Sequence, residues 1–210
     1  MADVYELKLE IPDQALGAIA PGCRIAIARA CGNAEPNIVW AALEPARRST
    51  VTWDGTYGLH ASAVPSGNLM PLRILGIVFP ARERAIYPFS GGAFGLATDG
   101  RRIPSQHYNV RNDSPEALAF GLTASATVDG TESVAPLNAV VVPARFNADF
   151  CGGDKVYAWL QPGAVAGTIV APIPSYAAVI TYEQRRRTAR LRYDAPANAF
   201  IIQDPLPPSR

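Results

Sequence analysis

Side chains capable of acid–base or anion chemistry recur at every second position in QHYNVRN, residues 106–112: His107, Asn109 and Arg111. Alternate residues of an extended strand share a face, so this spacing sets an imidazole, a carboxamide and a planar guanidinium side by side, with Tyr108 and Val110 turned the other way. Such a row could line a pocket for a polar or anionic ligand, and an outward solvated strand has the same pattern. The other histidine of the chain, His60, follows Asp54 and Gly55 in VTWDGTYGLHAS. Histidine titrates near neutrality, so His60 and His107 are the candidates for general acid or base in an enzyme.

A second constellation lies in KVYAWLQ, where Tyr157 and Trp159 share a stripe with Lys155 and Gln161, opposite Val156, Ala158 and Leu160. Exposed, that aromatic pair would suit stacking on a sugar ring or a lipid headgroup; buried, it would fill a second core layer. A third is cationic: TYEQRRRTARLRYD gathers Arg185, Arg186, Arg187, Arg190 and Arg192, and an apparent hairpin there sends Ala189, Leu191 and Tyr193 inward and Arg190 and Arg192 outward. The expected ligand-binding residues are therefore His60, His107, Asn109, Arg111, Tyr157, Trp159, Arg190 and Arg192.

Several chemistries have no carrier. The chain has no phosphate-cradling Gly-x-x-x-x-Gly-Lys-Ser/Thr, no Gly-x-Ser-x-Gly elbow and no His-Glu-x-x-His pair, and GGAFG at 91–95 lacks dinucleotide-binding spacing. No cofactor and no metal are expected. Asn112, Asp113 and Ser114 form a glycosylation sequon, with Pro115 following it and no leader in front of the chain to favour its use.

The elements that must position these groups read as strands. VYELKLEI, CRIAIARA, NIVWAALE, STVTW, YGLHAS, PLRILGIVF, QHYNVRN, LAFGLTAS, KVYAWLQ, SYAAVITYE and ARLRYD are short, and most alternate apolar with polar residues. Turn pairs such as Asp54 with Gly55, Asp129 with Gly130 and Pro162 with Gly163 fall between them. Helix is confined to a turn or two in DQALGAIA, and residues 112–116 read as a turn before a strand. Around Asp54 the parity of the apolar residues favours a hairpin with a three-residue loop, Gly55 being left-handed and Val51 pairing with Tyr57. Val51, Tyr57, Leu59 and Ala61 then build core, and His60 lies on the opposite, more polar face with Thr50, Thr52 and Gly58. The expected fold is all-β: a two-layer antiparallel β-sandwich of about a dozen short strands, one domain over residues 1–203 with an extended tail at 204–210.

Composition bounds the function. Of the 210 residues 49% are hydrophobic and 18% charged, enough to bury a core, and a net charge of +1 gives no global attraction to nucleic acid. Cys23, Cys31 and Cys151 are odd in number and unpaired in spacing, which fits free thiols. No signal sequence or transmembrane run is visible, so the expectation is a soluble, cytoplasmic protein. Three functions follow: a lectin-like module binding a small molecule, glycan or lipid headgroup; a cofactor-independent cyclase, isomerase or hydrolase using His107 or His60; and a structural protein forming homo-oligomers through its sheet edges.

Overall fold

The computed structural model describes residues 4–183 and 187–203. In chain order it runs β1 (Tyr5–Glu10), a one-turn helix α1 (Asp13–Leu16), β2 (Cys23–Cys31), β3 (Ala41–Leu43), β4 (Arg48–Trp53), β5 (Tyr57–Ser62) and β6 (Ile74–Val78). There follow β7 (Ala85–Ser90), β8 (Ala93–Phe94), β9 (Thr98–Asp99), β10 (His107–Asn112), β11 (Leu118–Val128) and β12 (Thr131–Pro136). The chain ends with β13 (Val140–Val142), β14 (Asn147–Pro162), β15 (Ala178–Thr181), β16 (Thr188–Asp194) and β17 (Ala199–Ile202). Short alternating segments closed by Gly and Pro account for this nearly all-β chain. The strand number exceeds the dozen expected because two-residue and three-residue strands such as β8 and β13 carry too little pattern to register in sequence.

The strands form two sheets, one of which curls as a half-barrel. The larger contains β1, β4, β5, β6, β11, β12, β13, β16 and β17, and the other β2, β3, β7, β8, β9, β10, β14 and β15. The sheets are mixed, correcting the purely antiparallel expectation: β1 pairs parallel with β16, and β7 with β10. One buried cluster draws on both sheets, with Leu7, Leu9, Val51, Leu59, Phe120, Leu122 and Leu191 from the first and Ile25, Ile27, Tyr87, Phe89, Val110, Phe150 and Val156 from the second. A smaller cluster lies on the other face of β2 and β14, where Tyr157 and Trp159 stand opposite Ala28 and Ala26 and pack with Val39, Ala164 and Val170.

Two expected hairpins are absent. β4 and β5 do not pair with each other; both pair antiparallel with β11. Thr127 stands between Thr52 and Glu132, and Ala124 between Tyr57 and Ala135, so β4 and β5 run in succession along the side of β11 opposite β12. Thr52 pairs with Thr127 and Tyr57 with Ala124, leaving residues 53–56 opposite Ser125 and Ala126 alone. Asp54 and Gly55 thus form a bulge in which the Thr56 amide donates to Asp54 Oδ1 (2.8 Å), and Gly55 is not left-handed. The excess of two residues is even, so alternation survives it: Val51, Trp53, Leu59 and Ala61 all reach the core. β11, apolar on both faces for most of its length, needs neighbours on both sides, which a local hairpin would not supply. Likewise β15 pairs with β14 in one sheet and β16 with β1 and β17 in the other, so the two strands do not pair as a hairpin.

A hairpin does form between β11 and β12, its turn made by Asp129 and Gly130, both at positive φ (45° and 89°). A second bulge interrupts β14: Gly152 pairs with Cys31 and Val156 with Arg29, so residues 153–155 stand opposite Ala30 alone. Among the described residues no helix is long and apolar enough to cross a membrane.

Candidate functional site

The structure separates the expected site residues. His60 is wholly buried, correcting its expected accessibility on a polar face. Residues 137–139 cross over Gly121, the glycine paired with His60, so closely that a side chain at 121 would overlap the Asn138 carbonyl. His60 Nε2 donates to that carbonyl oxygen (2.7 Å), which fixes the ring proton on Nε2 and leaves Nδ1 buried without a partner. Burial depresses its pKa from 6.5 to about 4, the Asn138 bond opposing part of that shift. A neutral histidine locked in this way is structural.

His107 lies in the other sheet. Its Nδ1 meets Asp149 Oδ2 (2.7 Å) on β14, and Asp149 Oδ1 accepts from Asn109 (2.6 Å). Tyr108 and Val110 enter the core, so His107 and its row face away from it, as Leu59 and Ala61 turn His60 away from the same core within the first sheet. The two imidazoles do not converge. Arg111 is held by Asp113, its Nε 2.9 and 3.0 Å from the two carboxylate oxygens and its Nη2 2.9 Å from Oδ2, which raises its pKa and lowers that of Asp113.

Tyr157 and Trp159 belong to the smaller buried cluster rather than to an exposed stacking surface, because the alanines of β2 leave room for the rings and the segment around Ala164 and Val170 covers them. Arg190 and Arg192 point outward as expected, while Ala189, Leu191 and Tyr193 are buried. They are interleaved with acids: Arg192 pairs in register with Glu10, and Lys8, the register partner of Arg190, lies 3.1 Å from Glu6. Arg185, Arg186 and the tail at 204–210 lie outside the described residues. The sequon asparagine, Asn112, is fully buried, donating to the carbonyls of Glu116 (2.9 Å) and Val142 (3.0 Å) and accepting from the Ser114 amide (3.1 Å), a geometry closed to a glycan.

A different set of residues converges. The two bulges face each other across one end of the core and frame a partly enclosed pocket of about 230 Å³. Gly55 comes from the first bulge; Gly152, Gly153 and Asp154 come from the second. Five aromatic residues line it, Tyr5, Trp53, Tyr57, Tyr108 and Tyr182, with Arg29, Gln106 and Val156. The rings brace one another: Tyr5 stacks on Trp53 (5.8 Å, 15°), Tyr182 meets Trp53 edge-on (5.0 Å, 79°), and Tyr57 leans on Tyr108 (5.9 Å). Tyr182 also donates its hydroxyl to the Glu6 carbonyl (3.1 Å). Gly152 matters by its missing side chain: a Cβ there would overlap the Tyr57 hydroxyl and lie 2.7 Å from Cε2. Burial pushes the Tyr108 hydroxyl up to about 12, with Glu83, Tyr57 and Tyr87 adding to the shift, so it stays a protonated donor at ordinary pH.

Arg29 belongs to β2 and is 3% exposed. Its guanidinium carbon lies 4.8 Å from the ring centroid of Trp40, 5.3 Å from Trp53 and 5.4 Å from Tyr57, and its Nη2 donates to the Tyr57 hydroxyl (2.9 Å). No ion pair to Arg29 exists among the described residues, and its Nη1 is buried without a hydrogen-bond partner. Burial pushes the neighbouring Cys31 thiol up to about 12, which keeps it protonated at ordinary pH; the three cysteines are free.

Sequence reasoning passed over Arg29, although a signal was present. In CRIAIARAC, Arg29 shares a stripe with Ile25 and Ile27 while the other face is Ala26, Ala28 and Ala30. A charge in a strand apolar on both faces has no solvated side to take, so it must be buried and compensated. Among the described residues no group of three His, Cys, Asp or Glu side chains is placed to hold a metal. No family model, no curated protein and no solved structure matches this chain.

Proposed function

We propose that this protein is a ligand-binding module, lectin-like in its use of aromatic walls, with its site in the pocket between the two bulges. The observation that carries the reading is the convergence there of five aromatic residues and three glycines, drawn from both sheets and their bulges, around one open space. Bulges re-aim side chains and are over-represented beside functional sites, and aromatic walls with a few polar tips suit a ring-shaped ligand. At about 230 Å³ the space falls below the roughly 300 to 1,000 Å³ of drug-sized sites, so the occupant is one ring, a monosaccharide unit or the headgroup of a glycolipid. The architecture behind the site is a two-layer sandwich, a reading supported by the single cluster to which both sheets contribute.

A glycan array, liposome sedimentation with glycolipid vesicles and tryptophan fluorescence test this together. Binding that quenches emission from Trp53 is expected; silence in all three assays overturns the reading. A second reading, a cofactor-independent enzyme, rests on His107: Asp149 orients it, and Cys151 is its register partner on β14. Labelling of Cys151 by iodoacetamide that slows in His107→Ala would favour it; equal rates would remove it. Self-assembly through sheet edges, the third expectation, would use β13, whose Val140 and Val141 are exposed, and size-exclusion chromatography decides it.

A further inference from the structure

We infer that the pocket recognises a ring bearing one carboxylate, and that Arg29 is the receptor for that carboxylate. The inference rests on the ligand-binding reading above and narrows it to a chemical class. A guanidinium carries five N–H donors and a charge that cannot be discharged by deprotonation. Among the described residues the Arg29 guanidinium has no ion pair; it meets the faces of Trp40, Trp53 and Tyr57 and donates to the Tyr57 hydroxyl. The rings offset part of the lost hydration through their quadrupoles, but they accept no hydrogen bond in the plane of the guanidinium. Nη1 is buried and left with unmade bonds. Buried charges elsewhere in proteins are paired or bound; here the missing partner is an anion, and the pocket that Arg29 lines is the way in.

Tyr57 completes the receptor. Its hydroxyl oxygen accepts from Arg29 Nη2, which leaves the hydroxyl proton free to be donated to the same anion. A carboxylate would take one bond from Nη1 and one from Tyr57, charge-assisted on the arginine side. The ring that carries it would lie among Trp53, Tyr108 and Tyr182. Charge count selects the class. Arg29 is the one cation and Asp154 the one acid in the lining, so a second negative charge would meet Asp154 and no further cation. That favours a monocarboxylate over a phosphate monoester.

The test is isothermal titration of the intact chain with glucuronate and benzoate, with their neutral counterparts glucose and benzamide, and with inorganic phosphate. At least one acid should bind ten times or more tighter than its neutral counterpart, and the acid that does so tells a sugar ring from an aromatic one. In Arg29→Gln that preference should vanish while any binding of the neutral ring persists; in Tyr57→Phe it should shrink. Equal affinity for acid and neutral ring would overturn the inference and leave the ligand-binding reading standing. Phosphate binding as tight as that of the acids would overturn the ring-carboxylate class. Binding of no probe, with a silent glycan array, would overturn both. Should Arg29→Gln fail to fold by near-ultraviolet circular dichroism, the acid-against-neutral comparison on the native chain decides the question.

Discussion

Acid should weaken this fold through one side chain, His60. Its pKa is about 4 in the folded protein and about 6.5 in an unfolded chain. Between those values the unfolded chain takes up a proton that the folded one refuses, because protonation at Nδ1 would put a charge and an unpartnered donor into a fully buried site. The contribution is therefore complete above about pH 6.5 and is lost as pH falls toward 4. Linkage gives a loss of about 2 kcal/mol at pH 5 and about 3 kcal/mol at pH 4, a sizeable part of the roughly 5 to 15 kcal/mol that holds a domain folded. The assay is urea unfolding at several pH values for wild type and His60→Gln, whose carboxamide can still donate to the Asn138 carbonyl. Other groups titrate in both proteins, so the difference between the two pH profiles belongs to His60. The variant should lose the extra slope between pH 6.5 and 4; parallel profiles would refute the assignment of a buried neutral imidazole.

Gly121→Ala should destabilise by about 1 to 3 kcal/mol or more, read by chemical denaturation, because the new methyl lies 2.8 Å from the Asn138 carbonyl carbon with β11 fixed on both sides. Trp159→Ala should cost about 3 to 5 kcal/mol, since the whole indole is buried among alanines that cannot collapse into its space. Asn112→Ala leaves the Val142 carbonyl and the Ser114 amide without their partner and should cost about 1 to 3 kcal/mol. Gly152→Ala, by driving Tyr57 off its seat, should reduce ligand binding in titration by more than it lowers the thermal midpoint; unchanged binding would show that Tyr57 is no wall of the site.

Alternation made the faces legible. Val51, Leu59 and Ala61, Tyr108 and Val110, and Ala189, Leu191 and Tyr193 all turn inward as their period-two pattern requires, and the turn at Asp129 and Gly130 closes a real hairpin. Partners were not legible. Period-two patterning says which side of a strand is apolar, yet it is silent on which strand lies alongside, so the local hairpin at Asp54 reads better than the long-range ladder with β11 that replaces it. The same gap hid the pocket. Arg29 was visible as a charge in an apolar strand, but the rings around it come from Trp40, Trp53 and Tyr57, brought together by pairing between distant segments.

Sequence alone determined the element type, the inward residues and the absence of nucleotide-binding motifs, because each depends on residues within a few positions of one another. Tertiary structure decided what the polar positions are for. His60 and Trp159 became structural once residues 137–139 and the segment near Ala164 covered them, whereas the two bulges opened the core beside Arg29. Burial belongs to whatever packs opposite, and the segments that pack opposite lie far away along the chain.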